Sequence, residues 1–425
     1  MSISVPLSDL SEEKKKEILK ELTLSSKPNF FDGKVNDLYP YEVEDDQVYL
    51  PFYYGNQKIG RYPNDALIFP KAPIKFTGQL REYQREVTID AIKRLNAVRC
   101  VFLTLATGKG KTATSIYLAA KLGLKAAVMI HRTEIFKGWK KSLAMLVPGT
   151  KVQHLTSVNK IDLTADVYLI GPLAAAKRKR GDFVHIGFLI VDEADAMCTD
   201  KMSKGFLHFS PKYCIGLSAT PDRTDELDQV LDLHFGLYHI NVPLWVEHNY
   251  FKFETSIVPV TKKNVQGNTD WNSLLEYQGN HEERNALIVR VCQFFPDRYI
   301  LVLCKRSDQT MKLHQLLQDE KESVDYTTGP KKNFRDGTRI LISTYSKSGV
   351  GFDYDVLDML IVAADVQERF DQYFGRCVRR EDTVPIVVDF VDKLKSLDRH
   401  FATRKAYAKS VGGTIINFHK HHPEF

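Results

Sequence analysis

Several features that would have narrowed the reading are missing from this 425-residue sequence. Its six cysteines, Cys100, Cys198, Cys214, Cys292, Cys304 and Cys377, never form a C-x-x-C pair, and several fall inside predicted strands or helices. That spacing argues against a zinc site or a disulfide framework and for a reducing compartment. The N-terminus is polar and rich in Lys and Glu, without an apolar signal core, and no apolar run approaches membrane-spanning length. A soluble, intracellular protein with no membrane partner is therefore expected. A strong charge of one sign is lacking too: 59 Lys and Arg against 53 Asp and Glu leave a net charge of +6. Such a balance fits a basic groove, but ordinary solubility explains it equally well.

What is present is organised around Val98–Thr114, V-R-C-V-F-L-T-L-A-T-G-K-G-K-T-A-T. Val98 to Leu105 reads as a buried parallel strand, and an alanine-rich helix follows, ending near Gly123. Between them the turn Ala106-Thr107-Gly108-Lys109-Gly110 leads into Lys111 and Thr112. A strand, a glycine loop and a helix opening on Lys-Thr make a phosphate cradle. Loop amides and the positive helix end bind phosphate oxygens, Lys111 reaches the terminal phosphates, and Thr112 ligates magnesium. Lys109 occupies the variable position and is expected to face solvent. The strict G-x-x-x-x-G-K-T form would have glycine at 105, where this chain has leucine.

The chain is long enough for two or three domains, each with its own core. Residues 1–76 read as an N-terminal accessory region, either a small module or an extended segment packed on the next domain: a helix capped by Ser11, then an aromatic and proline-rich stretch with a strand candidate at Val48–Tyr54. Tyr53 and Tyr54 could stack on bases, although core packing is the better reading. Residues 77–238 alternate strand and helix, with strands expected at Lys125–Ile130, Asp166–Ile170, Phe188–Val191 and Tyr213–Leu217. Residues 239–281 lose that rhythm and read as a connecting segment. A second alternating region, 282–392, carries strands at Tyr299–Cys304, Arg339–Thr344, Leu357–Ala363 and Val384–Phe390 but no second phosphate loop. Residues 393–425 read as a C-terminal helix and a solvated tail. The fold class is α/β, two doubly wound parallel sheets in tandem, and one nucleotide held between two domains is expected.

Phe188–Val191 ends in Asp192-Glu193-Ala194-Asp195. Carboxylates at the tip of a parallel strand face the crevice where ligands bind. Asp192 would hold magnesium, and Glu193 would orient and polarise the attacking water. Ser218, Ala219 and Thr220 close the next strand, where their hydroxyls can bond the acidic residues and relay nucleotide state. Upstream, Gln84 could read adenine, with Arg81 nearby. In the second region Gly349-Val350-Gly351-Phe352-Asp353 follows Ser343-Thr344; Gly351 permits close backbone approach, and Asp353 could accept from a ribose hydroxyl. On one continuous helix Gln372, Gly375, Arg376 and Arg379 would share a face, opposite Phe370, Phe374 and Cys377. Two guanidiniums so placed suit a γ-phosphate.

In this order, over residues 79–380, these motifs resemble those of the superfamily 2 helicases. The resemblance implies two RecA-like domains, ATP hydrolysis with Mg2+ at their interface, and movement along nucleic acid. Despite D-E-A-D, the chain does not resemble DEAD-box RNA helicases: His131-Arg132-Thr133-Glu134-Ile135 stands in place of P-T-R-E-L-A. The L-R-x-Y-Q start, the run from Gly216 to Asp225, and Glu283-Arg284-Asn285 resemble the xeroderma-pigmentosum-B and UvsW branch. Within it, the transcript-release DNA helicases of large cytoplasmic DNA viruses are most similar, which would put the protein in the host cytoplasm or the virion. Positions matching the family's nucleic-acid contacts are His131, Arg132, Thr133 and Gly171 in the first region and Lys305, Arg306 and Thr344 in the second. The tract Lys177-Arg178-Lys179-Arg180 could hold phosphates.

The resulting expectation is an ATP-dependent DNA helicase or translocase, working as a monomer on single-stranded, duplex or forked DNA. Transcription or replication machinery is the expected protein partner. An RNA-directed ATPase is the alternative, and a non-enzymatic ATP switch a third reading, disfavoured because Lys111, Asp192, Glu193, Arg376 and Arg379 are all present.

Overall fold

The computed structural model describes every residue apart from 28–34, 61–67, 222, 224, 264–268, 349–353, 368–369 and 381, and the side chain of Glu134. The chain divides into two units, Met1–Pro243 and Leu244–Phe425. Among the described residues, no helix is long and apolar enough to cross a membrane.

The first unit opens with β1 (Ser2–Pro6), α1 (Glu12–Glu21), β2 (Leu24–Ser25), β3 (Asp37–Leu38), β4 (Glu42–Glu44), β5 (Gln47–Pro51) and α2 (Phe52–Ile59). It continues through α3 (Glu82–Val98), β6 (Cys100–Leu105), α4 (Lys111–Leu122), β7 (Ala126–Met129), α5 (Thr133–Leu146), β8 (Val152–Leu155) and β9 (Val167–Ile170). Then come α6 (Pro172–Ala175), β10 (Phe188–Asp192), α7 (Asp200–Leu207), β11 (Tyr213–Ser218), α8 (Gln229–Phe235) and β12 (His239–Val242). Seven of these strands form one parallel sheet in the order β12-β6-β11-β10-β7-β9-β8. Its inner strands are buried on both faces, which is why they read as continuous apolar runs rather than alternating ones. Gly216 in β11 is needed for close packing, because a Cβ there would lie 2.5 Å from the Phe102 ring.

The first 59 residues do not form a region with a core of its own. β1, β5 and β4 make a small antiparallel sheet. Ile3, Val48, Leu50 and Phe52 share one buried cluster with Phe102, Leu189, Phe206 and Phe235 of the parallel-sheet layer. Ser2 donates its amide to the Phe209 carbonyl (2.8 Å) and its hydroxyl to that of Leu207 (2.7 Å). The strand expected over Val48–Tyr54 turns into α2 at Phe52, and Tyr54 is buried with its hydroxyl on Glu21 (2.6 Å). Tyr53 packs partly buried in the same cluster, so both tyrosines serve packing.

The second unit runs β13 (His248–Glu254), α9 (Trp271–Asn280), α10 (Glu282–Phe294), β14 (Ile300–Cys304), α11 (Ser307–Asp319), β15 (Val324–Thr327), β16 (Ile340–Thr344) and α12 (Tyr345–Ser348). It ends with β17 (Met359–Val362), α13 (Phe370–Phe374), β18 (Ile386–Val391), α14 (Lys395–Ser410), β19 (Gly413–Asn417) and α15 (Phe418–His421). Its seven strands are also all parallel, in the order β15-β16-β14-β17-β18-β13-β19. Both units thus have the RecA-like doubly wound architecture.

Two expected boundaries move. Residues 239–281 are not purely a connector: β12 completes the first sheet, and β13 lies inside the second, between β18 and β19. The motif rhythm hides β13 because both its partners come more than 130 residues later in the chain. Residues 393–425 hold the expected helix, and His419, Lys420 and His421 are exposed as expected, but the segment is more than a helix and a tail. β19 extends the sheet, Phe418 is fully buried, and Phe251, Phe253, Phe294, Phe425 and His422 ring it. The histidine-rich ending is anchored by this aromatic cluster, and His419 Nε2 lies 3.1 Å from the Glu254 carbonyl.

Candidate nucleotide and nucleic-acid sites

Parallel strands bring the chemistry of the first unit to one edge. Asp192 ends β10 and sits beside Leu217 of β11; Ser218 sits beside Thr104 of β6. The loop from Ala106 to Gly110 leaves that same edge and enters α4 at Lys111. Gly108 and Gly110 have φ of 82° and 77°, a region that favours glycine. A Cβ on Gly110 would come within 2.2 Å of Gln84 Nε2, so the loop also needs glycine for the contact. Gln84 is buried, with Oε1 accepting from the Arg81 amide (2.9 Å) and Nε2 donating to the Lys109 carbonyl (3.2 Å). Its amide holds the loop rather than standing open to a base. Tyr83 donates to the same carbonyl (3.2 Å), and its ring lies 5.4 Å from Lys109 Nζ, so Lys109 is half-buried and not simply solvent-facing. Arg81 Nη1 reaches the Tyr83 hydroxyl (3.4 Å).

Lys111 Nζ donates to the Leu105 carbonyl (3.0 Å), and the β12 end supports the loop through Val242 O, which accepts from the Ala106 amide (3.2 Å). Thr112 and Thr107 are half-buried in the cradle. Asp192 is buried, and Trp139 Nε1 donates to its Oδ2 (2.7 Å). Burial pushes the Asp192 carboxyl up, against the pull of the Trp139 bond and the Lys111 charge. Glu193 adopts a left-handed conformation (φ 53°, ψ 52°), costly for a residue with a side chain. Burial first, then the neighbouring Asp192 and Asp195, push its carboxyl up to about 7. Among the described residues, no group of three or more His, Cys, Asp or Glu gathers to bind a metal through protein ligands alone. One carboxylate beside a phosphate loop is how magnesium is held when substrate phosphates supply further ligands. Thr112 and Asp192 fit that arrangement, and the glycine-lined loop fits a polyphosphate.

Ser218 donates to Asp195 Oδ1 (2.6 Å) and accepts from the Thr220 amide (3.0 Å). Arg223 donates to the Asp195 carbonyl (2.6 Å) and, through two nitrogens, to Asp225. Sequence reasoning gave no site role to Trp139, Asp195 or Arg223. A lone Trp on an amphipathic helix carries no sequence signal separating it from core, whereas Asp195 closes the run Asp192–Asp195 and Arg223 lies in the run Gly216–Asp225.

His131, Arg132 and Thr133 follow β7, and Gly171 follows the adjacent β9, where Ile130 and Ile170 remain hydrogen-bonded. The structure brings these four together at the same sheet edge. The basic tract divides: Arg178 bonds Asp182, the Thr156 carbonyl and the Asn159 carbonyl, and Arg180 bonds Glu42 and Glu44 and stacks 3.6 Å from the Tyr49 ring. Only Lys177 and Lys179 of the four are exposed, so the tract is not a continuous phosphate-binding run.

In the second unit Lys305 and Arg306 follow β14 and Thr344 ends the neighbouring β16, paired with Cys304. Lys305 is exposed, whereas Arg306 bonds Asp308 (3.2 Å) and Thr344 lies buried against Ser346. Gly351 and Asp353 lie outside the described residues. Phe370 and Phe374 are buried against Tyr407, as an apolar helix face should be. The helix stops at Phe374, however. The Arg376 amide bonds Tyr373 O and the Cys377 amide bonds Phe374 O, a tighter turn than an α-helix. Arg376 and Arg379 therefore do not share a helical face with Gln372, which is half-buried on the helix itself. Arg379 Nη1 pairs with Asp355 Oδ1 (2.6 Å).

Residues 77–223 match the family model described as type III restriction enzyme, res subunit. A putative helicase of Invertebrate iridescent virus 6 is 33% identical over 376 residues, covering 82% of this chain and 85% of the relative. The chain belongs to this viral helicase family. A putative ATP-dependent RNA helicase of Acanthamoeba polyphaga mimivirus is 25% identical over 418 residues, 90% of this helicase and 79% of the relative. The helicase also shares its fold with S. cerevisiae Dbp5 bound to RNA and ADP BeF3, with a TM-score of 0.54 at 14% identity, covering 80% of this chain and 91% of that one.

Proposed function

We propose that this helicase is a magnesium-dependent ATPase of superfamily 2 that moves along DNA, in the xeroderma-pigmentosum-B and UvsW-like branch, serving viral transcription, transcript release or recombination. The observation that carries the reading is the glycine loop with Lys111 at the same sheet edge as the Asp192–Glu193 pair, at the ends of β6 and β10 with β11 between them. Lys111 binds the terminal phosphates, Thr112 and Asp192 hold the metal, and Glu193 takes a proton from the attacking water. The metal, when bound, neutralises charge developing on the phosphoryl oxygens. A carboxyl pushed up to about 7 is matched to that base role near neutral pH. Asp195, Ser218 and Arg223 link this acidic cluster to the end of β11. Arg376 and Arg379 act on the γ-phosphate of nucleotide held by the first unit, which requires Arg379 to leave Asp355. Nucleic acid contacts Arg132, Thr133, Lys305 and neighbouring backbone through phosphates, without base reading.

An RNA substrate is the second reading, favoured by the mimivirus relative, itself a putative ATP-dependent RNA helicase. ATPase rates measured side by side with single-stranded, duplex and forked DNA and with RNA decide between them. DNA stimulation is expected; stimulation by RNA alone would replace DNA with RNA in this account, and no turnover with any of them would reject the motor.

A further inference from the structure

The β7–α5 connection touches both carboxylates of the hydrolytic pair, by different residues. Trp139, on α5, donates to Asp192 (2.7 Å). His131, just before α5, places Nε2 3.8 Å from Glu193 Oε2. Arg132 Nε donates to that same His131 Nε2 (2.9 Å). A guanidinium can only donate, so His131 Nε2 accepts with its lone pair and carries no proton while the bond to Arg132 lasts. In that form Nε2 cannot donate to Glu193. The carboxylate is left without this donor, on a residue whose left-handed backbone already restricts where its side chain points.

We propose that His131 is a positioning residue for Glu193, and that Arg132 decides whether it acts. Arg132 lies partly exposed at the carboxyl edge of the sheet, next to exposed Thr133. A nucleic-acid phosphate there competes for the guanidinium, since charge-assisted bonds to phosphate are stronger than one to a neutral imidazole. Released from Arg132, His131 Nε2 takes the ring proton by exchange with water and donates it in a hydrogen bond to Glu193. The carboxylate is then held towards the water it activates. Polyanion binding is in this way read directly by the general base, through two adjacent side chains. The inference rests on the ATPase reading above and deepens it.

The test is steady-state ATPase of the full chain with and without nucleic acid. Arg132→Ala should raise basal turnover several-fold, because His131 is no longer held, and should lose most further stimulation. A simple phosphate contact would leave basal turnover unchanged, and that result overturns the proposal. His131→Ala should lower stimulated kcat about tenfold with little change in KM for ATP, the size of effect seen when a supporting partner is removed. His131→Gln, which can accept from Arg132 and donate to Glu193, should restore most of it. In the His131→Ala background, Arg132→Ala should no longer raise basal turnover; additive effects would also overturn the coupling. If His131→Ala fails to fold, the basal rate of Arg132→Ala and the His131→Gln profile still decide. A wild-type chain without ATPase rejects the motor reading, whereas an active wild type with an unmoved Arg132→Ala basal rate rejects this inference alone.

Discussion

Lys111 and Glu193 fail differently when removed, because one holds charge in the ground state and the other acts on water. Lys111→Ala is expected to lose nucleotide affinity and turnover together. Glu193→Gln should retain Mg2+-ATP binding and hydrolyse slowly, and equal turnover in wild type and Glu193→Gln would sink the assignment. Trp139→Phe gives a third pattern. It keeps an aromatic ring but is smaller and removes the donor to buried Asp192 (2.7 Å), at a cost of about 1.5–3 kcal/mol for a hydrogen bond to a charged group. A lower melting temperature and a higher Mg2+ requirement for turnover should appear together; an unchanged magnesium titration would make Trp139 purely a packing residue. These residues were not equally legible. Lys111 and Asp192 announce themselves through spacing relative to a strand, since the phosphate cradle is a local structure. Trp139 becomes visible only when α5 is laid against β10, 53 residues on in sequence.

At the scale of elements, the short helix α13 sets the position of Arg376 and Arg379. Phe370 and Phe374 were legible as its buried face; the turn that ends it was not, because nothing in Gly375-Arg376-Cys377 demands a stop by itself. Arg379→Ala is expected to bind ATP nearly as well as wild type while stimulated turnover falls by about a thousandfold, the scale of an arginine acting on a transferring phosphoryl group. Asp355→Ala removes only the exposed partner of Arg379 and should leave turnover at or above wild type. Wild-type turnover from Arg379→Ala would separate the second unit from the chemistry. Strands showed the same division. Those flanked by helices, such as β6, β10 and β16, were read from their apolar runs to within a residue or two. The edge strands β8 and β15 were missed because they are short and half-exposed, and β13 because its partners are distant.

Over the whole molecule, buried histidines should make stability fall on the acid side, while Glu193, pushed up to about 7, contributes in the opposite direction. Burial holds His234 in the first unit well below its usual 6.5 and lowers His248 in the second. Above that value neither folded nor unfolded chain protonates these rings. Below it the unfolded chain takes up protons that the fold refuses, so stability drops as pH falls. Thermal melts from pH 8 to 5.5 should show this slope, and His234→Phe, set among Phe206 and Phe235, should flatten it. A pH slope left unchanged by His234→Phe would reject the account. The strand arrangement has a further consequence, for the order in which the protein can be made. β13 is an inner strand, yet β18 and β19, which pair with it, begin at Ile386 and Gly413. On a ribosome the first unit can fold while the second waits with an aromatic strand, His248–Glu254, bare on both edges until almost the whole chain has emerged. Such long-range parallel pairing is slow and leaves sticky edges exposed. Production of the second unit should therefore depend on chaperones far more than that of the first.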